Sequence, residues 1–135
     1  MTYLVDANVL SEATKPKPNP GVLAWLVDNE RELVVNPVIL GELRFGILVL
    51  PKGKRRTRLE SWFSRGVERI RCIDWDAQTG LRWAQLLADL RGAGRSMPIK
   101  DSLIAASALV HRIPVATRNR KDFETAAVQV VNPFD

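Results

Sequence analysis

The 135-residue chain is poor in the residues that build covalent or soft-metal frameworks, with one cysteine and one histidine. A lone Cys72 excludes a disulfide network and a cysteine-based zinc site. A lone His111 excludes a multi-histidine metal centre. A reducing, cytoplasmic setting fits both scarcities. Long apolar runs are missing too. None approaches the ~20 residues a spanning helix needs, so no membrane association is expected. The start, MTYLVDANVLSE, meets Asp6 too early to form the apolar core of a signal peptide.

What is present reads as one globular domain over residues 1–135, with 46% hydrophobic and 26% charged residues. Lys52, Lys54, Arg55, Arg56 and Arg58 share the acid-free stretch KGKRRTR. Without these five, fifteen basic residues face fifteen acidic ones, so the formal charge of +5 equals one local patch. A local excess suits a polyanion-binding edge. A solvated basic turn is the plain alternative.

Tyr3-Leu4-Val5, Leu33-Val34-Val35, Arg71-Cys72-Ile73, Ile113 to Ala116 and Val128 to Val131 read as short buried strands. Helical patterns separate them. Pro20, Asn36-Pro37 and Asp76 mark helix starts, and Gly92-Ala93-Gly94 marks an end. Strands alternating with helices, and apolar on both faces, predict an α/β/α sandwich around a parallel sheet.

Three acids are out of place. Asp6 ends the first strand, Glu42 interrupts the apolar stretch PVILGELRFGILVL, and Asp101 precedes nine uncharged helix residues. A buried, unpaired carboxylate costs several kcal/mol or neutralises itself. Such acids persist where a metal ion or a basic side chain balances them. Ligands of open parallel sheets bind beyond the carboxyl ends of the strands. Asp6 follows strand one there, and Thr117, Asn119 and Asp122 follow strand four. If these groups converge, their oxygens suit a hard cation, Mg²⁺ or Mn²⁺. Each also has a plainer use. Asp6 and Asp101 suit helix N-caps, Glu42 could pair with Arg44 or Lys100, and Asn119 and Asp122 suit a turn and a cap. The four Trp read as helix-face core.

The ordered set V-D-A-N-V-L-S-E, P-V-I-L-G-E-L, P-I-K-D-S-L-I-A-A-S-A-L and V-A-T-R-N-R-K-D-F resembles the PIN-domain ribonucleases, and within them the toxins of VapBC-type toxin–antitoxin pairs. The resemblance spans essentially the whole chain. It implies a mainly parallel five-stranded sheet, a magnesium-dependent endoribonuclease leaving 5′-phosphate and 3′-hydroxyl ends, a small antitoxin partner and a homodimer. Asp6, Glu42 and Asp101 match the family's three acidic positions. The family often has a fourth acid where this chain has Asn119, and Asp122 is the nearest remaining carboxylate. Asn8 and Thr117 match supporting polar positions. On this reading Asp6 and Asp101 hold the metal, Glu42 and Asp122 complete the catalytic set, and Lys52, Lys54, Arg55, Arg56 and Arg58 attract RNA phosphates. The apolar-rich helices at 38–50 and 59–67 are the expected dimer surfaces.

Other classes fit less well. A phosphotransfer receiver needs an acidic pair near the first strand, and a haloacid-dehalogenase-type phosphatase needs D-x-D, where this chain has Asn8. A catalytically impaired RNA- or protein-binding module of the same fold is the alternative that Asn119 leaves open.

Overall fold

The computed structural model describes residues 1–135. Five strands form one sheet: β1 (Tyr3–Val5), β2 (Leu33–Val35), β3 (Arg71–Cys72), β4 (Val115–Ala116) and β5 (Val130–Val131). Their spatial order is β3-β2-β1-β4-β5 and every pairing is parallel, so the sheet is wholly and not just mainly parallel. Leu4 is in register with both Val34 and Val115. The chain leaves β1 toward β2 and β3, then returns to build β4 and β5 on the other side. The crevice between the carboxyl ends of β1 and β4 is therefore the topological switch point, where this architecture places ligands.

Seven α-helices cover the sheet: α1 (Ala7–Leu10), α2 (Pro20–Asp28), α3 (Pro37–Leu48), α4 (Lys54–Arg65), α5 (Ala77–Gly92), α6 (Ile99–His111) and α7 (Arg120–Thr125). Their starts have identifiable causes. The Asn19 side chain accepts from the Gly21 and Val22 N–H groups ahead of Pro20, and Asp76 accepts from the Thr79 N–H and hydroxyl. Each relieves N–H groups that the helix leaves without partners.

The central strands behave as their apolar sequences predict. β1, β2 and β4 are buried almost throughout, and Val5, Val9, Val35, Ile39, Ile104, Val115 and Phe123 are among the fully enclosed core side chains. The edge departs from expectation. Arg71 and Cys72 of β3 are both exposed, because no further strand covers that side. The fourth strand begins later than its apolar run. Pro114 has no N–H to add to the ladder and contributes only its carbonyl, to the Leu4 N–H.

The helix over 59–67 also differs from its expected use. Leu59, Phe63 and Val67 are spent on the core, so that face is not free for a partner. The end of α3 and the residue after it, in contrast, leave Phe45 67% and Val49 62% exposed, with Leu48 between them. Trp25, Trp62 and Trp83 lie half-buried on helices, whereas Trp75 sits in the turn before α5, where its indole N–H donates to the Leu103 carbonyl at 2.9 Å.

Candidate active site

The site grows from the end of β1. Asp6 is 3% exposed, and its backbone is extended while the next residue is helical. It does cap α1, with Oδ1 accepting from the Ala7 N–H at 2.8 Å. That uses one oxygen. Oδ2 turns across the crevice to β4 and accepts from the Thr117 hydroxyl at 2.8 Å and the Asn8 amide at 3.3 Å. The same Asn8 amide lies 3.3 Å from the Thr117 hydroxyl, and the Asn8 carbonyl oxygen accepts from the Arg118 N–H at 3.1 Å. Asn8 and Thr117 thus sew the two halves of the switch point together around Asp6. Capping thus occupies one oxygen of Asp6 and leaves the other to the network across the crevice.

α3 and α6 bring two more acids to this edge. Asn36, at the end of β2, is fully buried and has two tasks. Its carbonyl oxygen accepts from the Ile39 N–H at 2.9 Å, starting α3, and its amide donates to Ser107 of α6 at 3.1 Å. Glu42 follows in the second turn of α3 and stays partly accessible. α6 leads directly into β4, so it runs antiparallel to the strand and its first turn lies at the carboxyl edge. Asp101 sits in that turn, and it is not the cap. Pro98 occupies the cap position, with no side-chain bond. Ser102, fully buried, accepts from the Trp83 indole at 2.9 Å and donates to the Ile99 carbonyl at 2.6 Å, holding the turn that carries Asp101.

The fourth acid comes from α7. Asp122 is half-buried and within hydrogen-bonding reach of Asp101. Asn119 is exposed, and only its backbone N–H enters the network, donating to the Thr117 hydroxyl at 3.0 Å. Of the two residues that sequence left as alternatives, Asp122 is the one that faces the other acids.

The electrostatics show a cluster short of positive charge. Burial raises Asp101, and the charges of Asp6, Asp122 and Glu42 add to it, bringing its pKa to about 7. Burial likewise raises Glu42, helped by Asp6 and opposed by Lys100. Asp6 is raised by burial against the hydrogen bonds from Thr117, Ala7 and Asn8 and the charge of Lys100. Lys100 Nζ lies 3.5 Å from Glu42 Oε2, the only ion pair made by any of the four acids. Arg44, the other expected partner of Glu42, stands over the Phe63 ring instead, 5.9 Å from its centroid. Asp74, outside this group, is an exposed residue of the turn before Asp76.

The basic stretch is divided by the fold. Lys52, Lys54, Arg55 and Arg58 are exposed. Arg56 is withdrawn into an ion pair with Glu60 at 2.7 Å and a bond to the Leu50 carbonyl. A cleft of about 290 Å³ joins this stretch to the acids, with Asn8 and Glu42 in its lining at one end and Arg55 at the other. Ser11, Thr14 and Trp62 also line it, residues that periodicity alone does not separate from ordinary helix and loop positions.

Asp6, Glu42, Asp101 and Asp122 thus influence one another at the carboxyl edge of a wholly parallel α/β sheet. The chain belongs to the PIN domain family, whose model matches residues 3–129. It is 35% identical to the VapC ribonuclease Y4jK of Sinorhizobium fredii, over 98% of this chain and 97% of that one. It is 33% identical to the toxin FitB of Neisseria gonorrhoeae, over 97% of each. A solved structure of FitAB bound to a DNA fragment superposes with a TM-score of 0.93 at 30% identity, covering 99% of this chain and 96% of that one.

Proposed function

We propose that the chain is an endoribonuclease and the toxin of a toxin–antitoxin pair, acting as a single PIN-like domain. RNA is its substrate and a small antitoxin protein its partner. The carrying observation is the four-acid cluster at the switch point, in which three neighbours and burial hold Asp101 near neutrality. The likeness to a VapC ribonuclease and to toxin FitB supports the same reading.

The donor set fits a divalent cation, and Mg²⁺ in particular. The acids repel one another and have a single, loosely placed ammonium as counter-charge. Carboxylate oxygens suit a hard ion that keeps part of its water shell. Asp6 and Asp101 would hold it, with Asp122 and Glu42 completing the surround. When bound, such an ion supplies charge neutralisation of the phosphodiester and an acidified water.

The remaining work falls to the protein. Thr117 and Asn8 hold Asp6 Oδ2 in one orientation. Glu42, held above the ordinary carboxylate range and open to the cleft, accepts the proton of the water that attacks phosphorus. The bond from phosphorus to the 3′ oxygen breaks, and solvent protonates that oxygen, leaving 5′-phosphate and 3′-hydroxyl ends. The lone histidine, exposed at the end of α6, takes no part.

Arg55 and Arg58 draw the phosphate backbone toward the acids, with Lys52 and Lys54 adding long-range attraction. Arg56 contributes less, being engaged with Glu60. The apolar end of α3 supports a homodimer through Phe45, Leu48 and Val49.

The direct test is incubation of the purified chain with cellular RNA in Mg²⁺ or EDTA, followed by end-mapping. Cleavage with 5′-phosphate ends that stops in EDTA is expected, and RNA left intact in Mg²⁺ would sink the proposal. Replacing Arg55 and Arg58 by Ala should weaken RNA binding and reduce the slope of log K against log salt by about 1 to 1.5. An unchanged slope would return the stretch to a solvated turn.

A further inference from the structure

We infer that Lys100 is a resident counter-cation for the acid cluster, a positioning residue that competes with the divalent ion for Glu42 and thereby sets how tightly that ion binds. The inference rests on the proposed cation site. Lys100 immediately precedes Asp101 in the first turn of α6, so the backbone carrying the cluster's most strained acid also carries its only cation partner.

Its placement favours exchange over permanence. The ammonium is 3.5 Å from Glu42 Oε2, and the Lys100 side chain is 68% exposed while that of Glu42 is 25% exposed. An ion pair this open is weak and screened by solvent. It draws Glu42 toward the site at little cost and releases it when a stronger cation arrives. The groups facing this ammonium include Asp6, whose charge it also offsets from further away. A lysine's point charge on a flexible stem can swing clear, where a forked guanidinium would lock a carboxylate in two-point contact.

The experiment is calorimetric or electron paramagnetic titration of the full chain with Mn²⁺, for the parent, K100M and K100R. K100M keeps the apolar stem and deletes the charge. Its Mn²⁺ affinity should rise about threefold to tenfold, because one repulsive charge and one competitor for Glu42 are removed. K100R keeps the charge and can hold Glu42 in two-point contact, so it should bind Mn²⁺ no more tightly than the parent, and tighter binding in K100R would overturn the inference. K100M should also show a larger rise in melting temperature on adding Mn²⁺. Affinity unchanged or weakened in folded K100M overturns the inference, and K100Q supplies the same comparison should K100M fail to fold. D101N is titrated alongside. Loss of Mn²⁺ binding in D101N with no effect in K100M condemns the role of Lys100 alone. Undiminished binding in D101N removes the cation site itself, and the inference with it.

Discussion

Replacing Asp101 by Asn should reduce RNA cleavage about a hundredfold to ten-thousandfold at neutral pH, while the protein remains folded. The substitution keeps shape and removes a charge. Asp101 is 9% exposed, in a turn fixed by Ser102, Trp83 and the Ile99 carbonyl, so an isosteric amide disturbs little packing. The cost falls on the cluster's charge. With one of four carboxylates neutral, the hold on a divalent ion weakens, and so does the alignment of phosphate and water that depends on it. Asp6→Asn should act in the same direction with an added structural penalty, because Oδ1 caps α1 and Oδ2 accepts from both Thr117 and Asn8. An amide at that place cannot accept at both positions. The measurement is initial cleavage rate of a labelled RNA at saturating Mg²⁺, with circular dichroism to verify the fold. Cleavage within about threefold of the parent in both variants would overturn the assignment of these acids.

The same substitution should make the metal-free protein more stable above neutrality. Asp101 titrates near 3.8 when unfolded and near 7 when folded. Between these values the folded chain binds more protons than the unfolded one, so stability falls as pH rises through this window. Below it both states are protonated and the group contributes nothing. Above pH 7 the folded state carries the full strain of an ionised carboxylate beside three others. Asn carries none of it. The stability gain of D101N over the parent in EDTA should be near zero at pH 4 and reach about 1 to 3 kcal/mol at pH 8, less than the full shift implies because solvent reaches the cluster. Urea unfolding at several pH values measures it. A gain that does not grow with pH would mean the acids do not strain one another in the folded chain. Raised stability with lost cleavage in one variant is the signature of a site that holds strain for function.

Much of this was legible without coordinates, for local reasons. Short apolar runs located the strands within a few residues, and Pro20, Asn36-Pro37 and Asp76 located the starts of α2, α3 and α5, because caps and breakers act through neighbouring backbone groups. Asp6, Glu42 and Asp101 stood out because a charge inside an apolar stretch is conspicuous in one dimension. The misplacements were non-local. The exposed β3, the late start of β4 and the buried face of Leu59, Phe63 and Val67 depend on which strand lies at the edge and which helix lies above it. The sequence also had no means of choosing Asp122 over Asn119, since both follow β4 by a few residues.

By itself, then, the sequence determined the alternation of strands and helices, the identity of the displaced acids and the confinement of the excess charge to residues 52–58. Only the tertiary structure decided what these do to one another. It brought Asp6 and Thr117 together across 111 positions and set Lys100 against Glu42. It drew Arg56 out of the basic edge and joined Arg55 to the acids by a single cleft. The physical reason is range. Propensity and capping are satisfied within a turn or two of the chain. The strain on a carboxylate is set by whatever charge and solvent surround it in space, and a parallel sheet gathers those surroundings from four distant segments.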